Sequence, residues 1–214
     1  MKHTITFILA IAFAINSSAQ PDSKYSDAMK RNISVLDTAT LALTLQTVAN
    51  NFERIATAEK TQWLPYYYAG YAIARTAYVT ENKDKIDAML DKADAMLNMA
   101  DSLSPNNSEI YVAKSMAASA RIEVNPMARG AQYGPAAGML VDQAIKLDPN
   151  NPRAYLQKGT GVFYTPAAFG GGKDKAKTIL ETASQKFEKF KPADDLAPNW
   201  GKEWCKRMLE QCSE

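Results

Sequence analysis

Two stretches of this chain match at a fixed offset of 44 residues. Ala93 pairs with Ala137, Ala100 with Ala144, Leu103 with Leu147, Pro105 with Pro149, Asn106-Asn107 with Asn150-Asn151, and Tyr111 with Tyr155. Each stretch reads as a helix, a tight Pro-Asn-Asn turn and the start of another helix. A fixed period in this range is the signature of a helical repeat array. The array constrains architecture far more than it constrains what is bound.

The 214 residues suffice for one domain with a real core. The net charge of +2 gives no case for a nucleic-acid partner, which wants a clustered basic face. Lys2, the apolar run Ile5–Ile15 and the small residues Asn16-Ser17-Ser18-Ala19 read as a secretory signal peptide. The run of about eleven residues is shorter than the roughly 20 of a membrane span, so no insertion is expected after cleavage at Ala19 or Gln20. The expected location is periplasmic or secreted. His3 is the only histidine, and it lies in the segment to be removed. Ser-His-Asp and Cys-His pairs and histidine-ligated zinc are then excluded. No catalytic residue, metal site or cofactor is expected. Cys205 and Cys212 lie seven positions apart, about 10 Å along a continuous helix. A disulfide needs about 4.4–6.8 Å between Cα atoms. They are expected unpaired, or bridged only if the terminus frays.

Taken in order, residues 1–20 form the signal and 21–36 a leader with a short helix from Ser26. Residues 37–191 form the repeat domain, and 192–214 a linker and capping helix. Asp37 or Thr38 is expected to cap the second helix. Its apolar stripe is Leu41, Leu45, Val48, Ala49, Phe52, Ile55 and Ala56. A ring-rich third helix runs from Thr61 to Thr80, and a fourth carries Ile86, Leu90, Ala93, Leu97 and Ala100 inward. Asn107 caps a fifth, to about Glu123. Residues 124–135, with two prolines and two glycines, read as a loop. A sixth helix ends at Leu147. Asn151 and Pro152 start a seventh that runs to Tyr164. After a second Gly/Pro loop, 165–172, comes an eighth helix. Asn199 is expected to cap the last.

These residues resemble tetratricopeptide repeats. Tyr66-Ala69-Gly70 and Tyr155-Lys158-Gly159 match the first helix of that unit. Ala93-Leu97-Ala100, Ala137-Val141-Ala144 and Ala176-Leu180-Ala183 match the second, and Pro105 and Pro149 the closing turn. The resemblance covers about residues 40–190 and implies an all-α, tetratricopeptide-like solenoid of antiparallel helix pairs. The period departs from the family's, which is about 34. The Phe169-Gly-Gly-Gly-Lys173 loop and Pro198-Asn199-Trp200-Gly201 are also similar to exported bacterial proteins of this type.

A solenoid leaves one concave side lined by the first helices of its pairs. Tyr67, Tyr71 and Tyr78 can share a stripe there, with Val112, Met116, Arg153, Gln157 and Thr160 beside them. The main expectation is an exported, non-catalytic adaptor binding a protein or peptide segment on this face. The alternative is a carrier of a small apolar ligand that uses the third helix. Ordinary packing between repeats explains the same rings. Arg129, Tyr133, Tyr164, Phe169 and Lys173 form a second candidate patch on the edge from which the two Gly/Pro loops emerge. The glycine loop is no P-loop, because Asp174 stands where Ser or Thr is required. Asp84, Asp87, Asp91 and Asp94, interspersed with lysines, read as a solvated helix face. Oligomeric state is left open by the sequence.

Overall fold

The computed structural model describes residues 23–214. The expected signal peptide, 1–20, lies outside the described residues. Nine α-helices make up the described chain: α1 (Ser23–Thr38), α2 (Ala42–Ala58), α3 (Trp63–Val79), α4 (Ile86–Leu103), α5 (Ser108–Ala120), α6 (Pro126–Leu147), α7 (Pro152–Tyr164), α8 (Lys173–Lys189) and α9 (Lys202–Ser213). Short 3₁₀ turns lie at Lys83–Lys85, Arg121–Val124 and Ala167–Phe169. The class is all-α, with no strand among the described residues. None of these helices is long and apolar enough to cross a membrane.

Capping sets the repeat boundaries. The Asn107 side chain accepts from the Glu109 amide, and Asn151 from the Arg153 amide. Each satisfies an N–H that the helix itself leaves free. In the first of these turns Asn106 takes φ +60°, a conformation asparagine tolerates. Each helix packs on its chain neighbours. The odd-numbered helices also pack on one another, α1 on α3, α3 on α5, α5 on α7 and α7 on α9. They form the inner layer of the stack.

Small residues on one helix face a large residue on the next. Ala93, Leu97 and Ala100 are fully buried, as are Ala176, Leu180 and Ala183. A Cβ on Gly70 would lie 2.6 Å from Leu97 Cγ, and one on Gly159 would lie 2.7 Å from Leu180 Cγ. Ser115 occupies the equivalent place on α5 and donates to the Ala137 carbonyl at 2.9 Å. Backbones thus approach closely and each leucine fills the gap, contributing about 1.5–3 kcal/mol by burial.

Four expectations need correction. Residues 126–135 are not a loop but the first turns of the 22-residue α6. Asn125 caps that helix by accepting from the Ala128 amide, Pro126 sits in its first turn, and Arg129 anchors it bidentately to Asp87 of α4 at 2.7 and 2.8 Å. Pro135 lies inside the helix, which continues because its second half is packed between α5 and α7. Neither Asp37 nor Thr38 caps α2. Thr38 ends α1, its hydroxyl turned back to the Ser34 and Val35 carbonyls, and Leu41 precedes α2 with no side-chain cap. Arg75 of α3 instead satisfies the Leu36 and Ala39 carbonyls at the end of α1. Asn199 does not cap α9; Gly201 does that at φ +110°, leaving Trp200 outside the helix. The expected linker is no free linker, as shown below.

The close approach at Gly70 is testable by urea denaturation. Gly70→Ala should lose roughly 1–3 kcal/mol through overpacking. Gly138→Ala in α6, where a Cβ meets nothing within 4 Å, should gain about 0.5–1 kcal/mol. Equal stability of the two variants would contradict this packing.

Candidate functional site

The inner layer is covered by the chain itself. Residues 190–201, between α8 and α9, run back across the odd helices. The Tyr68 hydroxyl donates to the Leu196 carbonyl at 2.8 Å, and Trp200 Nε1 donates to the Tyr67 hydroxyl at 2.9 Å. The Trp200 ring stacks on Tyr71 with centroids 4.5 Å apart and planes at 15°. Tyr71 stacks on Tyr67, which meets Trp63 and Tyr68 edge-on, and Tyr68 stacks on Phe52. Asp195 reaches Lys30 of α1 at 2.7 Å.

Arg153 closes this arrangement. It is 1% exposed, and its Nε and Nη2 donate to the two Glu109 oxygens at 2.7 and 2.6 Å. The guanidinium lies 4.3 Å from the Phe190 ring centroid and 5.8 Å from that of Trp200, and it donates to the Trp200 carbonyl. A buried charge of this kind is tolerated only when paired and hydrogen-bonded.

The placement of the first candidate group is therefore corrected. Tyr67, Tyr71, Val112, Met116, Arg153 and Gln157 are all buried and do not line an open face. Residues 190–201 take the place a partner segment would need. Half-buried Tyr78 donates to the Met116 carbonyl, Gln157 contacts the Ser119 hydroxyl at 3.4 Å, and the Thr160 hydroxyl is buried without a partner.

The edge group separates into two. Arg129 lies over Tyr133 at 5.9 Å and is tied to Asp87. With Arg121 it neutralises Asp87, Asp91 and Asp94, so this acidic face is an ion-pair network. Arg129 and Arg121 hold the Asp87 carboxyl below the usual carboxylate range, Arg129 by its hydrogen bond foremost. The second group surrounds the 165–172 loop. Tyr164 and Phe169 are 71% and 81% exposed, a large apolar surface to leave in water. Lys173 Nζ lies 5.9 Å from the Phe163 ring, which meets Tyr164 edge-on at 5.0 Å.

This loop is rigidly built. The amides of Phe169 and Gly171 donate to the Pro166 carbonyl, Gly170 donates to Ala167, and Gly172 donates to Val162. At Gly171 a Cβ would collide with the Thr165 carbonyl at 2.0 Å. Phe169 is thus held outward by backbone hydrogen bonds. Lys175 Nζ contacts the Gly170 carbonyl at 3.1 Å, a neighbour the sequence reading missed.

Two open clefts flank α1. One of about 840 Å³ lies against residues 192–199 and includes Lys30, Ile33 and Asp37. The other, about 380 Å³, lies between α1 and α2 beside exposed Leu43. Burial raises the Asp37 carboxyl, and Arg75 opposes the rise. Both cysteines are buried free thiols; Cys205 donates to the Leu180 carbonyl, and burial pushes it up to about 11. Among the described residues no group of three or more His, Cys, Asp or Glu could hold a metal ion.

No family model matches the chain, tetratricopeptide repeats included, and no curated protein matches it. A solved structure does: the HusA haemophore from Porphyromonas gingivalis is 36% identical, with a TM-score of 0.80, over 88% of this chain and 92% of that one. The chain belongs to the HusA family. The HusA likeness therefore covers far more of the chain than one repeat.

Two outcomes test the closed inner layer. Trp200→Ala should cost about 3–5 kcal/mol, and Trp200→Phe, which removes the hydrogen bond to Tyr67 and part of the buried ring, about 1–3 kcal/mol. Wild-type stability in Trp200→Ala would show that 190–201 is not packed. Burial also holds the Tyr67, Tyr68, Tyr71 and Tyr78 phenols protonated well above the usual tyrosine range, and pushes Tyr25 up to about 12. A raised folded pKa contributes stability that is fully present below the unfolded value near 10 and lost as pH rises toward the folded one. The urea midpoint should hold to about pH 9 and fall steadily from about pH 10 upward; an unchanged midpoint at pH 11 contradicts the burial.

Proposed function

We propose that this protein is an exported, non-catalytic carrier of a flat apolar ring compound of the haem class, held against Tyr164 and Phe169. The observation that carries the reading is 36% identity to a haemophore over 92% of that protein's length. It favours the carrier reading over the adaptor reading. An adaptor using the inner face needs residues 190–201 to leave, breaking the Tyr67, Tyr68, Tyr71 and Arg153 contacts at once.

The edge supports the carrier reading on physical grounds. Two large rings stand exposed, and the loop that presents one of them is already ordered, so little entropy is lost on binding. Ring faces of this kind stack on a planar macrocycle. The expected export signal, Ile5–Ile15 with its small-residue boundary, agrees with a carrier that works outside the cytoplasm.

Neither a histidine nor a thiolate holds the iron in this reading. The only histidine is His3, outside the described residues, and both thiols are buried, Cys205 with its pKa raised to about 11. A thiolate ligand would need that thiol to ionise. The ligand is held by its ring.

Haem and metal-free protoporphyrin IX should therefore bind the purified protein within a few-fold of each other, followed by absorbance and fluorescence titration. Tyr164→Ala/Phe169→Ala should weaken both by about tenfold or more, since each ring contact is worth about 0.5–1.5 kcal/mol. Parent-like affinity in a variant with parent-like circular dichroism would place the site elsewhere.

A further inference from the structure

We propose that the free face of α1 and α2 docks a second copy of this chain, in a two-fold dimer in which Leu43 of each copy enters the cleft between α1 and α2 of the other. This goes beyond the carrier reading and does not use the 165–172 edge.

A helical stack needs a polar outer face at each end. This one has it at α9, whose exposed residues include Lys202, Glu203, Lys206, Arg207 and Glu210. The other end, where α1 and α2 pack on each other and on α3, is different. Residues 32–51 carry a single charged side chain, Asp37, and it lines the larger of the two clefts that flank α1. Val35, Leu41 and Leu43 stand exposed within that run.

The chemistry of the smaller cleft selects the occupant. Its volume is about 380 Å³, and Val35, Leu43 and Val48 line it with Asn32, Thr47 and Asn51. The donors of those polar side chains are used inside the chain: Asn32 Nδ2 donates to the Ala28 carbonyl, Asn51 Nδ2 to Asn32 Oδ1, and the Thr47 hydroxyl to the Leu43 carbonyl. An aliphatic side chain therefore covers the cleft without stranding a donor, whereas a ligand that accepts hydrogen bonds gains little there. Leu43, 80% exposed, stands in the wall of the cleft itself. Projection and recess thus lie side by side on one surface. An isologous contact needs that arrangement, because one two-fold rotation then seats both leucines at once. The lack of charge in the run also lets two identical surfaces meet without opposing like charges. The run along α2 is roughly 15 Å long and two helices are about 20 Å wide, a few hundred Å² per copy. Contacts of that size make weak, exchanging dimers.

Sedimentation velocity of the purified, ligand-free protein from about 5 to about 500 μM tests this, the span in which a weak dimer forms. The mass should move from one copy toward two across that range. Leu43→Lys should weaken the association about tenfold or more. Met127→Lys, at an equally exposed side chain on α6, should associate as the parent does. Both side chains are exposed, so both variants should keep the parent's circular dichroism and urea midpoint. A single copy at the highest concentration overturns the dimer. Association undiminished in Leu43→Lys, or lost equally in Met127→Lys, also overturns it. Growth beyond two copies overturns it as well, because a closed two-fold contact stops at two. None of these results bears on ring binding at the 165–172 edge, so the two readings fail separately.

Discussion

Arg153 is the residue whose environment the rest of the structure has to satisfy. A guanidinium with 1% exposure would be untenable alone. Glu109 neutralises it bidentately from α5, and Phe190 and Trp200 cover its faces. Those contacts join α5, α7 and the segment leading into α9. Trp200 then extends the closure to α3 through Tyr71 and Tyr67. One buried ion pair and one ring stack thus convert an open helical stack into a closed one.

The closure takes the ring-rich inner face away from a partner. In an open solenoid the inner face is the natural binding surface. Here its ring-rich part is already packed against the chain's own segment, to a depth that makes Tyr67 and Tyr68 nearly inaccessible. The most exposed large apolar side chains lie elsewhere: Tyr164 and Phe169 around the 165–172 loop, Leu41 and Leu43 at the start of α2, and Met127 and Met139 on α6. The 165–172 edge combines exposed rings with a loop fixed by its own hydrogen bonds.

Local features were legible in the sequence. The Asn107 and Asn151 caps, the extent of α7 from Pro152 to Tyr164, and the buried Ala-Leu-Ala and Ala-Val-Ala triads follow from spacing and capping chemistry. Non-local features were not. Trp200 and Tyr67 are 133 positions apart, and no periodicity connects them. The stripe of Tyr67 and Tyr71 was visible, but whether it faces water depends on residues near the other end of the chain. Residues 126–135 misled for a related reason. Two prolines and two glycines signal a loop, yet a cap at Asn125 and the Arg129–Asp87 pair hold that stretch helical. Around the 165–172 loop, Tyr164, Phe169 and Lys173 could be named, while the Lys175 contact could not, because it is with a carbonyl and not with a partner of opposite charge.

The central claim is that the inner face stays closed while cargo is taken at the edge. Two-dimensional ¹H–¹⁵N spectra of the protein with and without metal-free protoporphyrin IX test it most directly. The account predicts shifts concentrated in residues 163–175, with the Trp200 indole resonance and the inner-face amides near Tyr67 and Tyr71 unmoved. A displaced Trp200 indole, with shifts running along α3 and residues 190–201, would contradict it and make the ring-rich inner face the site.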